Sequence, residues 1–159
     1  KKLTVKVPDT LELVKVKVVL VSAKGNIADI HTDELRINTV SGRQDIRDIN
    51  TNSLNITTVS GNIDFIGSAN DSSINSVSGK VAMDYMEMFD SLDVDSVSGR
   101  VVLIMPDNEG FELSRKTVSG RFSSDFALSG SNTSGIYKDG SASIDINTVS
   151  GSITLTKKD

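Results

Sequence analysis

The feature that most limits how this chain can fold is a four-residue phrase written six times. "TVSG" occupies residues 39–42, 58–61, 117–120 and 148–151, and "SVSG" occupies 76–79 and 96–99. The closing glycines are Gly42, Gly61, Gly79, Gly99, Gly120 and Gly151, at successive intervals of 19, 18, 20, 21 and 31 residues. A period near 20 marks a solenoid, in which each repeat is one coil that buries its apolar face only against its neighbours. A degenerate earlier copy, "SAKGNI", puts Gly25 17 residues ahead of Gly42.

The flanks of the glycines align. Five residues before them stand Leu20, Ile37, Ile56, Ile74, Val94, Arg115 and Ile146; two after stand Ile27, Gln44, Ile63, Val81, Val101, Phe122 and Ile153. Period-two alternation into and out of the motif reads as β-strand. The step from the residue five before the glycine to the motif valine is odd, so with both inward the chain must bend between them. Asn38, Thr57, Asn75, Asp95, Lys116 or Asn147 stands at that bend, and Asn and Asp suit turns. Each repeat then reads as strand, corner, inward valine, glycine and strand, with the motif threonines outward in a hydroxyl ladder. Coils stacked at about 4.8 Å bring like residues over like. The expected fold is all-β: a single-domain parallel β-solenoid (β-helix-like) over residues 1–159. It has about seven coils, around Gly25, Gly42, Gly61, Gly79, Gly99, Gly120 and Gly151, with a period near 20 residues.

Three places depart from the pattern. "VAMDYMEMFDSL" (81–92) carries extra bulk. It reads as a wider, methionine-padded coil, or as an exposed patch for a protein partner formed by Tyr85, Met86, Met88 and Phe89. The long last interval holds a Gly/Ser-rich insertion over residues 129–141, expected as a loop or hairpin. Arg115 occupies a place where an inward isoleucine is expected.

Composition narrows the function. Aromatics make up 4% and Trp is absent, so the core must be Val, Ile and Leu. A net charge of −4 argues against nucleic acid as a partner. No apolar run reaches the length of a transmembrane segment. The chain opens without an initiator Met or a signal-peptide pattern, which reads as a fragment or a processed form. It has no Cys and one histidine, His31, so a Ser-His-Asp triad has a single candidate base. A serine repeated six times reads as structure rather than as a nucleophile. No catalytic, cofactor-binding or metal-binding residue is assigned. Asp64, Asp84, Asp93, Asp95 and Asp145 offer carboxylates that, if clustered, suit weak calcium binding or a glycan-active groove. The residue after the glycine is the informative one. Lys80, Arg100 and Arg121 hold that place in three consecutive copies, with Arg43 two copies away. These four form a candidate binding stripe for an anionic envelope polymer or lipid headgroups.

The repeated "TVSG", the stretch "MPDNEGFELSRKTVSGRF" (105–122) and the ending "YKDGSASIDINTVSGSITL" (137–155) together resemble a bacterial adhesin-type family of domains of unknown function. The likeness runs from about Leu3 to Leu155. It implies a right-handed-type β-solenoid, no known enzymatic activity and a setting at the cell envelope. Members often carry Asp after the motif glycine, where this chain has Asn26, Arg43, Asn62, Lys80, Arg100, Arg121 and Ser152. The expected function is a non-enzymatic, extracytoplasmic binding or adhesion module. The rivals are a self-associating scaffold and, third, a glycan-active enzyme. Lysines in "KKLTVKVP" and "TLTKKD" guard the two ends and favour a monomer or small oligomer.

Overall fold

The structure, a computed structural model, describes residues 4–8, 13–131 and 133–158. Seven strands carry the described chain: β1 (Leu13–Ser22), β2 (Gly25–Tyr85), β3 (Ser91–Met105), β4 (Gly110–Ser124), β5 (Ser129–Gly130), β6 (Ser134–Lys138) and β7 (Ala142–Lys157). The described residues contain no helix. β2 keeps its pairing through successive bends, so several repeats form one unbroken strand. The result is an all-β, solenoid-like stack.

One repeat shows how the stack is filled. The buried residues Gln44, Ile46, Ile49, Thr51, Leu54, Ile56 and Thr58 step by two along three short faces. They step by an odd number at each of the corners, which lie after Ile46, Thr51 and Thr58. Layers pair in parallel with like over like, as in the ladders Ile74↔Val94↔Ile146 and Val81↔Val101↔Ile153. Isoleucine, leucine and valine thus form an apolar column, and Phe65, Tyr85 and Phe89 fill its widest part.

The corner at the motif is the reverse of the sequence expectation. Thr39, Thr58, Ser76, Ser96 and Thr148 face inward, with Thr58 only 1% exposed. Val40, Val59, Val77, Val97 and Val149 face solvent at 47–51% exposure. Alternation runs unbroken to the threonine, and the odd step falls at Val-Ser-Gly rather than at the Asn/Asp position. Ladder pairing skips the valine: Ser76 pairs with Ser96 and Ser78 with Ser98, while Val77 and Val97 do not pair. Local hydroxyls satisfy the groups this skip frees. Ser41, Ser78 and Ser98 donate to the carbonyls of Val21, Val59 and Val77 in the layer beneath, at 3.3–3.4 Å. The inward hydroxyl of Thr39 donates to the Ser41 carbonyl two residues on, at 3.3 Å. A buried hydroxyl that reaches its own strand costs little, so threonine suits the inside of this corner. The turn itself needs glycine: Gly79 and Gly99 have φ of 121° and 141°. A Cβ on Gly99 would strike the carbonyl oxygen of Gly79.

Stacking does not follow chain order, and the sheet is not wholly parallel. The strand order is β1-β2-β3-β7-β4-β6-β5. β7, which carries the last copy of the motif, lies between β3 and β4, pairing in parallel with both. Residues 106–109 can span the two layer heights this requires. The insertion folds back as β5 and β6, antiparallel to each other, with β6 antiparallel to the start of β4. Under it Phe111, Phe126 and Tyr137 pack ring on ring at 5.0–5.5 Å. At the opposite end the register puts Ser22 beneath Ser41, so Ala23 lies under Gly42 and Gly25 is not its equivalent. Buried Gln44 replaces the usual isoleucine there and donates to the Ala23 carbonyl at 3.0 Å.

Three outcomes follow from this architecture. Val77→Asp should change unfolding free energy by less than about 1 kcal/mol, whereas Ser76→Asp, which buries a carboxylate, should cost about 3 kcal/mol or more. Denaturant titration of both decides which residue faces in; the opposite ranking restores the inward valine. Gly99→Ala should cost about 2 kcal/mol or more through its backbone conformation alone, and an unchanged melting temperature would refute the crowded corner. The insertion of β7 places Asp93 in register with Asp145. Partial burial, with repulsion from Asp145 and Asp95 added, holds the Asp93 carboxyl above its ordinary range. A raised folded pKa gives stability that is present in acid and lost as pH rises through the carboxylate range. Asp93→Asn should therefore stabilise the protein at pH 7, by no more than about 0.5 kcal/mol after solvent screening. The gain should vanish in melts below about pH 4.

Candidate functional site

The corner that the valines occupy runs the length of the stack. Because each layer repeats it, Val59, Val77, Val97 and Val149 stand in one straight row at about 4.8 Å spacing. They form a wall of a shallow groove of about 400 Å³. Thr57, Asn75, Asp95 and Asn147 form the other wall, and the hydroxyls of Thr58, Ser76, Ser96 and Thr148 lie along its floor. Asp95 is the one carboxylate in the groove and accepts from Asn147 Nδ2 at 3.0 Å. These valines are the residues that reading the sequence missed. The available signal was the simpler parity, in which alternation continues to the threonine and the glycine alone absorbs the odd step.

Beyond the glycine lies the cationic row, and the structure divides it. Arg43 reaches Asp45 and Asp64, each at 2.9 Å. The Asp45 hydrogen bond, then the charges of Asp64 and Asp45, hold the Arg43 guanidinium above its ordinary pKa. Lys80 lies 3.6 Å from the same Asp64, and Lys24 pairs with Asp45 at 3.1 Å. Arg100 sits in register with Lys80 but forms no ion pair among the described residues. Arg100 and Arg121 are not in consecutive layers, because Ser152 lies between them. The stripe thus has a neutralised half, Arg43 and Lys80, and a half without carboxylate partners, Arg100 and Arg121. Its continuity over Lys80, Arg100 and Arg121, expected from chain order, is broken by β7.

The other candidates disperse. Tyr85 and Phe89 are core residues, their rings 4.6 Å apart, with Phe65 5.6 Å from Tyr85 on the other side. Burial raises the Tyr85 phenol far above its usual range, with the Ser72 hydroxyl opposing. Met88 is half-buried, and Met86 alone is exposed, its sulfur 3.2 Å from Lys158 Nζ. Tyr85, Met88 and Phe89 therefore pad the layer, and Met86 by itself makes no surface patch with them. Of the carboxylates, Asp64 serves the cationic row and Asp84 pairs with Lys158 at 2.9 Å. Only Asp93, Asp95 and Asp145 come together. Among the described residues no group of three or more His, Cys, Asp or Glu is arranged to hold a metal ion. His31 is exposed, and the motif serines Ser41, Ser78 and Ser98 brace the ladder. Arg115 lies across Phe122, its guanidinium carbon 3.9 Å from the ring centre.

No curated protein matches the chain, and no solved structure does. One family model matches residues 2–156, nearly the whole length. The solenoid-like, all-β stack is thus that of a recognised domain of unknown function: the chain belongs to the Toastrack DUF4097 family.

Proposed function

We propose that the protein is a non-enzymatic binding module of the bacterial cell envelope, a solenoid of about seven coils that engages an extended anionic partner along its motif corner. The carrying observation is the straight row of half-exposed valines, followed three residues after Val97 by Arg100, which has no carboxylate partner among the described residues, with Lys80 in register beside Arg100 and 3.6 Å from Asp64. An apolar ridge flanked by cations suits a partner that is itself long and repeated, with phosphodiester charge and some apolar surface. The hydroxyl floor of the corner recurs layer after layer, which favours binding over catalysis. The adhesin-type resemblance supports the envelope setting.

The shared chemistry is phosphodiester, from a polymer or from lipid headgroups. Cosedimentation with vesicles of phosphatidylglycerol and phosphatidylcholine, and titration with soluble polyglycerol phosphate, separate the two sources. Lys80→Glu with Arg100→Glu should weaken whichever binding occurs by about tenfold or more, and high salt should do the same to the native chain. Binding that is indifferent to both changes would sink this reading.

A second reading is end-to-end self-association into a scaffold. The outer edges of β1 and of the later part of β4 favour it, since neither is paired among the described residues. Light scattering that grows with concentration would support it.

A further inference from the structure

The layer built on β4 is the last in the parallel stack, and it shows what the absence of a following layer does. Thr117 corresponds to five buried hydroxyl residues, yet it is exposed, as are Lys116, Ser119 and Arg121. Val118 is 84% exposed, against about half for the other motif valines. Phe122, in register with buried Ile153, is only partly covered. β6 pairs with residues 110–114 of β4, and the Arg115 N–H donates to the Thr133 carbonyl at 2.8 Å. Past that point no described residue pairs with the outer edge of β4. The backbone groups of residues 116–124 that point away from β7 therefore form an open template for another strand.

Two further observations say what kind of strand fits. Beside the edge lies a slot of about 280 Å³ lined by Leu113, Arg115, Phe122 and Leu128, with Gly130, Ser131, Ser134 and Gly135 of the hairpin. It is wide enough for an apolar side chain to close the end of the core. Arg115, Lys116 and Arg121 supply three cations along the edge, and none forms an ion pair among the described residues. The nearest carboxylates along the chain lie outside this open stretch: Glu112 in the part of β4 that β6 covers, and Asp125 past the end of the strand, where it accepts from the Lys157 N–H. A second copy is a poor match for such an edge. In the register of the stack, head-to-tail stacking brings Val18 and Val19 of β1, not carboxylates, to Arg115 and Lys116, and tail-to-tail stacking brings the cations to each other.

We infer that the outer edge of β4 accepts an extended acidic segment of a partner protein as an added strand. Outward carboxylates of that segment meet Lys116 and Arg121, and an inward apolar side chain enters the slot beside Phe122. Backbone pairing supplies affinity, and charge selects the partner. This edge carries the outermost copy of the motif corner, but the inference rests on its unpaired backbone and not on binding along the ridge of Val59, Val77, Val97 and Val149.

Fluorescence anisotropy with three labelled nine-residue peptides provides the test. One alternates Glu with Thr and Val, one carries Lys in place of Glu, and one is the acidic peptide N-methylated at alternate residues. The acidic peptide should bind. The lysine and N-methylated peptides should bind about tenfold or more weaker, the first for charge and the second for lost backbone donors. Lys116→Glu with Arg121→Glu lies on exposed positions and should keep the native melting temperature while exchanging preference to the lysine peptide. No binding, equal binding of acidic and lysine peptides, or unimpaired binding of the N-methylated peptide overturns the inference. So does sedimentation showing that native copies occupy the edge themselves.

Discussion

Each layer depends on the approach of one motif glycine to the carbonyl of the glycine beneath it. Gly99 lies on Gly79 and Gly151 on Gly99, so closely that no side chain fits between. That contact sets the corner at the same height in every layer. It lets the backbone turn without leaving the ladder, and it forces the neighbouring valine outward. The remaining features of the corner are responses to it. Serine hydroxyls satisfy carbonyls that the turn takes out of register, and the Thr39 hydroxyl donates to the Ser41 carbonyl two residues on in its own strand. The ridge of valines is thus a by-product of backbone geometry before it is a surface for anything else.

The strand content and the period were legible in the residues because both depend on spacing alone. Which side chains face inward was not, for a physical reason. An odd step must be absorbed somewhere between Ile56 and Ile63, and parity does not say where. General preference places valine inside and threonine outside, and here it misleads: Thr58 is buried although its hydroxyl has no hydrogen-bond partner, and Val59 lies half-exposed on the corner. The position of β7 was also hidden. Repeats of nearly equal chemistry are interchangeable as neighbours, so local sequence does not encode their order; the long interval before Gly151 is its only trace. Arg115 was legible as an oddity. The structure explains it as the place where the stack ends and a cation lies over an otherwise bare ring.

The candidate stripe fared in the same divided way. Its residues were visible as a column, but its charge balance depended on residues two places further on. Asp45 and Asp64 follow Arg43 and Asn62 by two, point to the same face and neutralise Arg43, with Asp64 near Lys80. Around Arg100 and Arg121 no such carboxylate follows, since Val102 and Ser123 take those places. A row of like charges in sequence therefore becomes a graded surface, quiet toward β1 and cationic toward β4.

The place of β7 has a consequence for how the molecule is made. A chain emerging from the ribosome completes β3 and then β4 while β7 is still unsynthesised. At that moment the bare edge of β3 faces a strand with the same corner, the same glycine and a compatible apolar column, in which Val101 can meet Phe122. Pairing β3 directly with β4 is a well-matched wrong answer, built from the very likeness that makes the repeat stable. The native order requires that gap to stay open, or to reopen, until the final sixteen-residue strand enters it. An ordinary solenoid can add layers as they appear, one on the next. This one is completed from the middle, by a segment synthesised after the layers on both sides of it.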